Sequence, residues 1–227
     1  MDNNELLARV PLFTSINAEH LVDLANAMNT RTYRRGEVIF HKDDPGSMLY
    51  ILKSGQVKIT TSSPEGEEVI LAILKEGDFF GELSLLDGKP RSASATAMED
   101  TTALTLDRRD LIDSIFQNPE LAINILTSIS ERLRQTDFLL EDAIFLDLPS
   151  RLAKRLLQLA EKHGMKTTRG TEIDLRLTQQ DLANSVGASR VAVNKLLGAF
   201  QDRKLILLDK HHIVITNPDE LSRITFG

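Results

Sequence analysis

Between Gly77 and Ala97 the chain reads GDFFGELSLLDGKPRSASATA. Gly81 frees the backbone there, and a loop with a one-turn helix over Glu82–Leu86 exposes unpaired amides. Arg91 and Ser92 then add a guanidinium and a hydroxyl. Free amides, a guanidinium and a hydroxyl within ten residues suit a small phosphate. Glu82 cannot bind that phosphate, but its carboxylate is a good acceptor for a sugar hydroxyl. The set therefore points to a nucleotide with both a phosphate and a free ribose hydroxyl. A β-turn with an incidental surface arginine fits the same residues.

A second pattern runs from Leu177 to Ile206, LTQQDLANSVGASRVAVNKLLGAFQDRKLI. Thr178 with Asp181 forms a capping box that starts a helix. Ala183 is small where a second helix must approach, Gly187 supplies the turn, and Ser189 caps the next helix. Val193, Leu196, Leu197 and Phe200 give that helix a buried face, while Arg190, Val191, Asn194 and Lys195 lie opposite. This is the layout of a helix-turn-helix, whose second helix presents its first turns to the major groove. Arginine and lysine suit the O6/N7 edge of guanine, and asparagine suits adenine. Ser189 and the nearby amides suit a phosphate. An ordinary helical hairpin with a solvated polar face is the alternative.

Several chemistries drop out. With no cysteine, disulfides, thiolate nucleophiles and iron–sulfur clusters are excluded. His211 and His212 share no ligand spacing with His20, His41 and His163, so no metal site is expected. No nucleophile–base pair is evident around Arg91, Ser92 and Glu82, so an enzyme such as a phosphodiesterase is not expected. The first residues lack a signal peptide, and the longest aliphatic run, Val69–Leu74, is far short of a membrane span. A soluble cytoplasmic protein is expected.

The whole chain of 227 residues carries a net charge of −6, which by itself argues against nucleic acid. The charge is uneven, however. Residues 1–149 hold 14 basic and 25 acidic side chains, a net of −11, whereas residues 150–227 hold 13 and 8, a net of +5. An acidic module joined to a basic one accounts for this, as does surface scatter.

The elements that must position these residues follow from periodicity. Residues 5–30 read as short helices, with Asn17 placed to cap one. From 32 to 107, short runs rich in β-branched and aliphatic residues are punctuated by seven of the chain's twelve glycines. The runs are Glu37–Phe40, Met48–Leu52, Val57–Thr61, Glu68–Leu74, Ser92–Ala97 and Thr102–Leu106. Turns at Asp44-Pro45-Gly46, Pro64-Glu65-Gly66 and Asp87-Gly88 make them a compact antiparallel sandwich or barrel. From Pro119 the residues Ala122, Leu126, Ile129, Leu133, Thr136, Leu140 and Ala143 alternate four and three apart, a heptad seam. An amphipathic helix packed on its own domain is the alternative. Thr136 is the polar member of this seam, so its hydroxyl is expected to be used. Leu146-Asp147-Leu148-Pro149 ends the helix and marks a boundary. Beyond it a helix (151–163), a strand (Glu172–Leu177), the two short helices and an apolar hairpin (Leu205–Leu208, Ile213–Ile215) are expected. That hairpin, turning through Lys210, would be a wing that sets Lys210 near the DNA backbone.

The residues Phe80-Gly81-Glu82-Leu83 and Pro90-Arg91-Ser92-Ala93 resemble the phosphate-binding cassette of cyclic-nucleotide-binding domains. With the long helix and the helix-turn-helix in order, essentially the whole chain resembles the cAMP receptor protein branch of the Crp/Fnr family of transcription regulators. The resemblance implies an α+β fold: an antiparallel, jelly-roll-like β-roll sensor (1–117), a dimerisation helix and hinge (118–147), and a winged helix-turn-helix (148–227). It implies main-chain contacts from Gly81 and Leu83, a ribose contact from Glu82 and phosphate contacts from Arg91 and Ser92. It further implies that Arg132 braces the glutamate and Thr136 contacts the base. Asp137 stands where the family archetype has serine, and a carboxylate accepts from adenine or from guanine N1/N2, so cAMP and cGMP both remain. Val191 replaces a glutamate that reads a C·G pair, which suits a thymine methyl better than a strict TGTGA half-site. The implied partners are a pseudo-palindromic duplex DNA, a second copy of the chain through Ala122, Leu126, Ile129, Leu133, Thr136 and Leu140, and RNA polymerase. Thr178, Ser189, Arg190, Val191, Asn194, Lys195 and Lys210 are the expected DNA contacts.

Overall fold

The computed structural model describes residues 2–209 and 212–225. Its chain divides into two compact units. One takes in the chain up to Thr61 together with Leu71–Gln135; the other takes in Ser62–Ile70 and the chain from Thr136 onward.

The first unit opens with α1 (Asn3–Leu7), a single 3-10 turn at Pro11–Phe13, and α2 (Ala18–Ala27). The Asn17 side chain accepts from the His20 N–H at 2.9 Å and caps α2, as its position suggests. The strands β1 (Asn29–Tyr33), β2 (Val38–Phe40), β3 (Met48–Ser54), β4 (Val57–Ser62), β5 (Glu68–Leu74) and β6 (Phe79–Phe80) follow. After them come α3 (Glu82–Asp87), β7 (Ser94–Ala97) and β8 (Thr101–Asp107). They form two four-stranded sheets, ordered β1-β8-β3-β6 and β2-β7-β4-β5. Every pairing between β1, β8, β3 and β6, and of β7 with β2 and β4, is antiparallel.

Strand β3 shows why this sheet reads as apolar in sequence. Leu49, Tyr50, Ile51 and Leu52 are all buried in succession, without alternation. Leu49 and Ile51 join Leu6, Leu12, Phe13, Leu24 and Leu106 in a cluster under the helices. Tyr50 and Leu52 join Val57, Phe80, Ala95 and Ala103 between the sheets. A strand covered on both faces must be hydrophobic throughout.

Two strands of this unit were not expected. β1 is Asn-Thr-Arg-Thr-Tyr, almost wholly exposed, and its strand state comes from its full pairing with β8. β6 is two residues, set by Tyr50 and Ile51 opposite. β7 begins at Ser94 rather than Ser92, which leaves Ser92 in the loop.

Helices α4 (Arg108–Gln117) and α5 (Glu120–Phe145) follow. Leu121 and Ile125 of α5 are buried in the core beneath α2, and Ile129 packs against it. Three other seam residues face elsewhere: Leu126, Leu133 and Leu140 are 58%, 61% and 61% exposed. The helix thus carries an own-domain face and a separate uncovered apolar face.

Helix α6 spans Leu148–His163, with Asp147 as its cap accepting from the Ser150 N–H at 2.9 Å. Pro149 therefore sits in the first turn of α6 and does not itself end α5, whose last residue is Phe145. Proline fits that turn because its missing N–H would have no partner there. Strands β9 (Gly164–Thr167) and β10 (Gly170–Ile173) come next. The strand expected at Glu172–Leu177 thus lies earlier, and Asp174–Leu177 has no ladder partner. Helices α7 (Gln179–Ser185) and α8 (Arg190–Asp202), strands β11 (Ile206–Asp209) and β12 (His212–Ile215), and α9 (Pro218–Ile224) finish the unit. Its sheet runs β11-β12-β10-β9. Leu152, Leu156, Leu182, Val193, Leu197, Phe200, Val214 and Leu221 are buried in this unit. Among the described residues no helix is long and apolar enough to cross a membrane.

Candidate functional site

The turn from β6 into α3 sets the first site. Gly81 takes φ +84, and a side chain there would meet Arg91 Nη1 at 2.6 Å and the Met48 carbonyl at 3.0 Å. Glycine is required on both counts: a left-handed backbone and a close approach. Glu82 follows with a carboxylate that is only 3% exposed. A carboxylate that deep needs a partner, and Arg132, fifty residues on, donates from Nη1 to Glu82 Oε1 at 2.9 Å. Arg132 also donates from Nη2 to the Phe79 carbonyl and stacks 4.8 Å from the Phe79 ring. Glu82 Oε2 is buried and has no hydrogen-bond partner.

Arg91 is the other buried charge, 4% exposed. Its Nη1 donates to the Gly81 carbonyl at 2.7 Å and its Nη2 to the Met48 carbonyl at 2.8 Å. The guanidinium lies 4.3 Å from the Phe40 ring centroid and 5.7 Å from that of Tyr50. Burial pulls its pKa below the ordinary arginine value, with Tyr50, Glu82 and Asp44 opposing. Its Nε is buried and unpartnered. The cradle is tight, since a side chain at Gly46 would meet Arg91 Nε at 2.6 Å and Ser84 Cβ at 2.7 Å.

The segment from Glu82 to Arg91 thus presents an unsatisfied buried donor, Arg91 Nε, and an unsatisfied buried acceptor, Glu82 Oε2. Such atoms are costly unless something meets them. A phosphate oxygen suits the donor and a sugar hydroxyl suits the acceptor, so the residues present fit a ribonucleotide. Ser92 and Leu83 are exposed beside them. Thr136 and Asp137 follow Arg132 by one turn along α5 and are exposed. Phe40, Tyr50, Met48 and Gly46 were missed as parts of this site. Their sequence signal is that of ordinary core and turn, and only the folded strands bring them to Arg91.

The second site is the helix pair α7 and α8. Thr178 accepts from the Asp181 N–H at 3.0 Å, and Asp181 Oδ2 accepts from the Thr178 N–H and hydroxyl, completing the expected box. Gly187 takes φ +62 at the turn, and Ser189 accepts from the Ala192 N–H at 3.3 Å. On α8, Val193, Leu197 and Phe200 are buried, while Arg190, Val191 and Lys195 are exposed, Val191 at 80%. Asn194 differs from these three. It is half-buried, with its Nδ2 donating to Gln179 Oε1 at 2.9 Å. Lys210 lies outside the described residues, between β11 and β12.

Known protein families match the two regions that hold the Glu82–Arg91 segment and the helix pair. The family model for the cyclic nucleotide-binding domain matches residues 30–118, and that for the Crp-like helix-turn-helix domain matches residues 150–224. The chain is 38% identical to the CRP-like cAMP-activated global transcriptional regulator of Mycobacterium tuberculosis, over 97% of this chain and 98% of that protein. It is 34% identical to the cyclic AMP receptor protein of Thermus thermophilus, over 96% and 97%. The solved structure of the c-di-GMP responsive regulator CLP from Xanthomonas campestris superposes with a TM-score of 0.77 over 88% of this chain and 99% of that one. At 24% identity it supports the fold alone. With a cassette domain, a long helix and a winged helix-turn-helix in one chain, and relatives of this kind along nearly its full length, the protein belongs to the Crp/Fnr family of DNA-binding transcription regulators.

Proposed function

We propose that the protein is a homodimeric, cAMP-responsive transcription regulator whose sensor (1–117) controls a DNA-reading module (148–227) through the helix and hinge between them (118–147). The observation that carries the ligand reading is the orphaned pair: a buried acceptor on Glu82 and a buried donor on Arg91. In this reading Arg91 and Ser92 hold the cyclic phosphate, Glu82 Oε2 accepts from the ribose 2′-hydroxyl, and Gly81 and Leu83 contribute main-chain groups. Thr136 and Asp137 meet the base. Arg132 orients Glu82 through Oε1, so that its second oxygen stays available. The relatives named as cAMP-activated and as a cyclic AMP receptor support cAMP as the ligand.

The uncovered seam on α5 supports a second copy as partner. Leu126, Leu133 and Leu140 present one apolar stripe, flanked by Ala122, Ile129 and Thr136. A parallel pair of these helices would set two copies of α8 for successive major grooves, and nucleotide binding would bias that arrangement. Thr178, Ser189, Arg190, Val191, Lys195 and Lys210 would then meet DNA. RNA polymerase is the further partner, and the cytoplasm the place of action.

A second reading has one observation in its favour: Asp137 is exposed on α5 beside Thr136. Its carboxylate accepts from guanine N1 and N2, which favours cGMP. Calorimetric titration of both nucleotides, with a DNA-binding assay at each end point, tests these readings. cAMP is expected to bind with a stoichiometry of one per chain and to raise DNA affinity. Arg91→Ala is expected to abolish both effects. Binding of cGMP in preference to cAMP selects the second reading. Silence with both nucleotides, with unchanged DNA binding, overturns the two together.

A further inference from the structure

Gln179 is the first residue of α7 and lies across the helix pair from α8. Its Oε1 accepts two hydrogen bonds from that helix: Asn194 Nδ2 at 2.9 Å and Arg190 Nη2 at 3.3 Å. Arg190 and Asn194 are four residues apart, so they share one face of α8.

These bonds form a chain of fixed orientations. A guanidinium has donors and no acceptor, so contact with Arg190 requires the Gln179 carbonyl oxygen, not its amide nitrogen, to face α8. With that oxygen in place, Asn194 must present its nitrogen. Its own Oδ1 is then the atom left over, and it is buried without a hydrogen-bond partner. Adenine is read by an asparagine that offers donor and acceptor together. While the tie holds, one Nδ2 hydrogen is committed and Oδ1 is buried, so Asn194 does not offer that pair to a base. Arg190 gives up one Nη2 hydrogen and keeps its remaining donors, which is enough for the two acceptors of guanine.

We propose that Gln179 is a positioning residue of the DNA-reading surface, which directs Arg190 toward guanine and withdraws Asn194 from base reading. This rests on the reading above that α8 enters the major groove.

The test is a selection from randomised duplex DNA with the full-length protein in the presence of cAMP, comparing wild type with four variants. Arg190→Ala first identifies the base pair whose guanine preference depends on Arg190. Gln179→Met, which keeps the volume and removes the acceptor, is expected to lower that preference about fivefold. Gln179→Glu, which keeps an acceptor, is expected to preserve it. Asn194→Ala is expected to change no adenine preference. Thermal unfolding by circular dichroism verifies that each variant is folded. The proposal is overturned if Gln179→Met selects the same sites as wild type, if Gln179→Glu loses the preference equally, or if Asn194→Ala erases an adenine. If Arg190→Ala leaves every position unchanged, the groove reading itself fails and this inference falls with it. That outcome is distinct from the other three.

Discussion

Arg132 Nη1 lies 2.9 Å from Glu82 Oε1, joining the long helix to a carboxylate that is almost fully buried. Removing the arginine strands a charge, whereas removing the carboxylate leaves an arginine that is already one-third exposed. Arg132→Ala is therefore expected to lose about 3 kcal/mol, the low end of the range for breaking a buried pair. Glu82→Gln is expected to lose less. Urea unfolding of the two variants checks the order. A larger loss for Glu82→Gln would contradict it.

The cradle around Arg91 leaves no room at Gly46, where a methyl group would meet both Arg91 Nε and Ser84 Cβ. Gly46→Ala is expected to cost about 1–3 kcal/mol by overpacking. It is also expected to weaken cAMP binding at least about tenfold by displacing Nε, the unpartnered Arg91 nitrogen. Calorimetry reads the second effect. Undiminished affinity would show that Arg91 Nε does not touch the ligand.

Asp147 caps α6, and the Ser150 side chain and backbone N–H hold its carboxyl below the usual value. A carboxyl depressed in the folded state contributes stability above its unfolded pKa, and that contribution disappears as pH falls through the folded value. Asp147→Ala is accordingly expected to lower the melting temperature at neutral pH, with the gap to wild type closing in strong acid. Asp147→Asn, which still caps, is expected to show much less of the neutral-pH loss. Melting curves from pH 7 to pH 2 report both. A gap that widens in acid would reverse the sign.

Leu133 is 61% exposed on α5, so shortening it removes little from the single chain. Across a paired helix it would be buried in both copies. Losing roughly 1.5 kcal/mol or more per side chain raises the dimer dissociation constant about a hundredfold. Analytical ultracentrifugation of Leu133→Ala measures this. An unchanged constant would place the dimer contact elsewhere.

The residues that mark both sites lie close together along the chain. Gly81, Glu82, Arg91 and Ser92 sit within twelve residues, and the capping box and turn of α7–α8 within a similar span. Local chemistry is enough to recognise groups that lie close along the chain. Strand β1 was invisible because Asn29–Tyr33 has no apolar alternation and draws its state from β8, some seventy residues on.

The amino-acid order by itself determined the sequence of modules, the phosphate-suited cassette, the capped helix pair and the acidic-to-basic division of charge. Each depends on spacing within a few residues or on composition. Only the tertiary structure decided which atoms of those groups are free. Glu82 is left with one open oxygen because Arg132 arrives from another element, and Arg91 with one unpartnered nitrogen, Nε, because Met48 and Gly81 engage its two Nη atoms. Asn194, alike in sequence to its exposed neighbours, is tied to α7 by Gln179. Hydrogen bonding saturates groups one atom at a time, and the partners that do so here come from elsewhere in the chain.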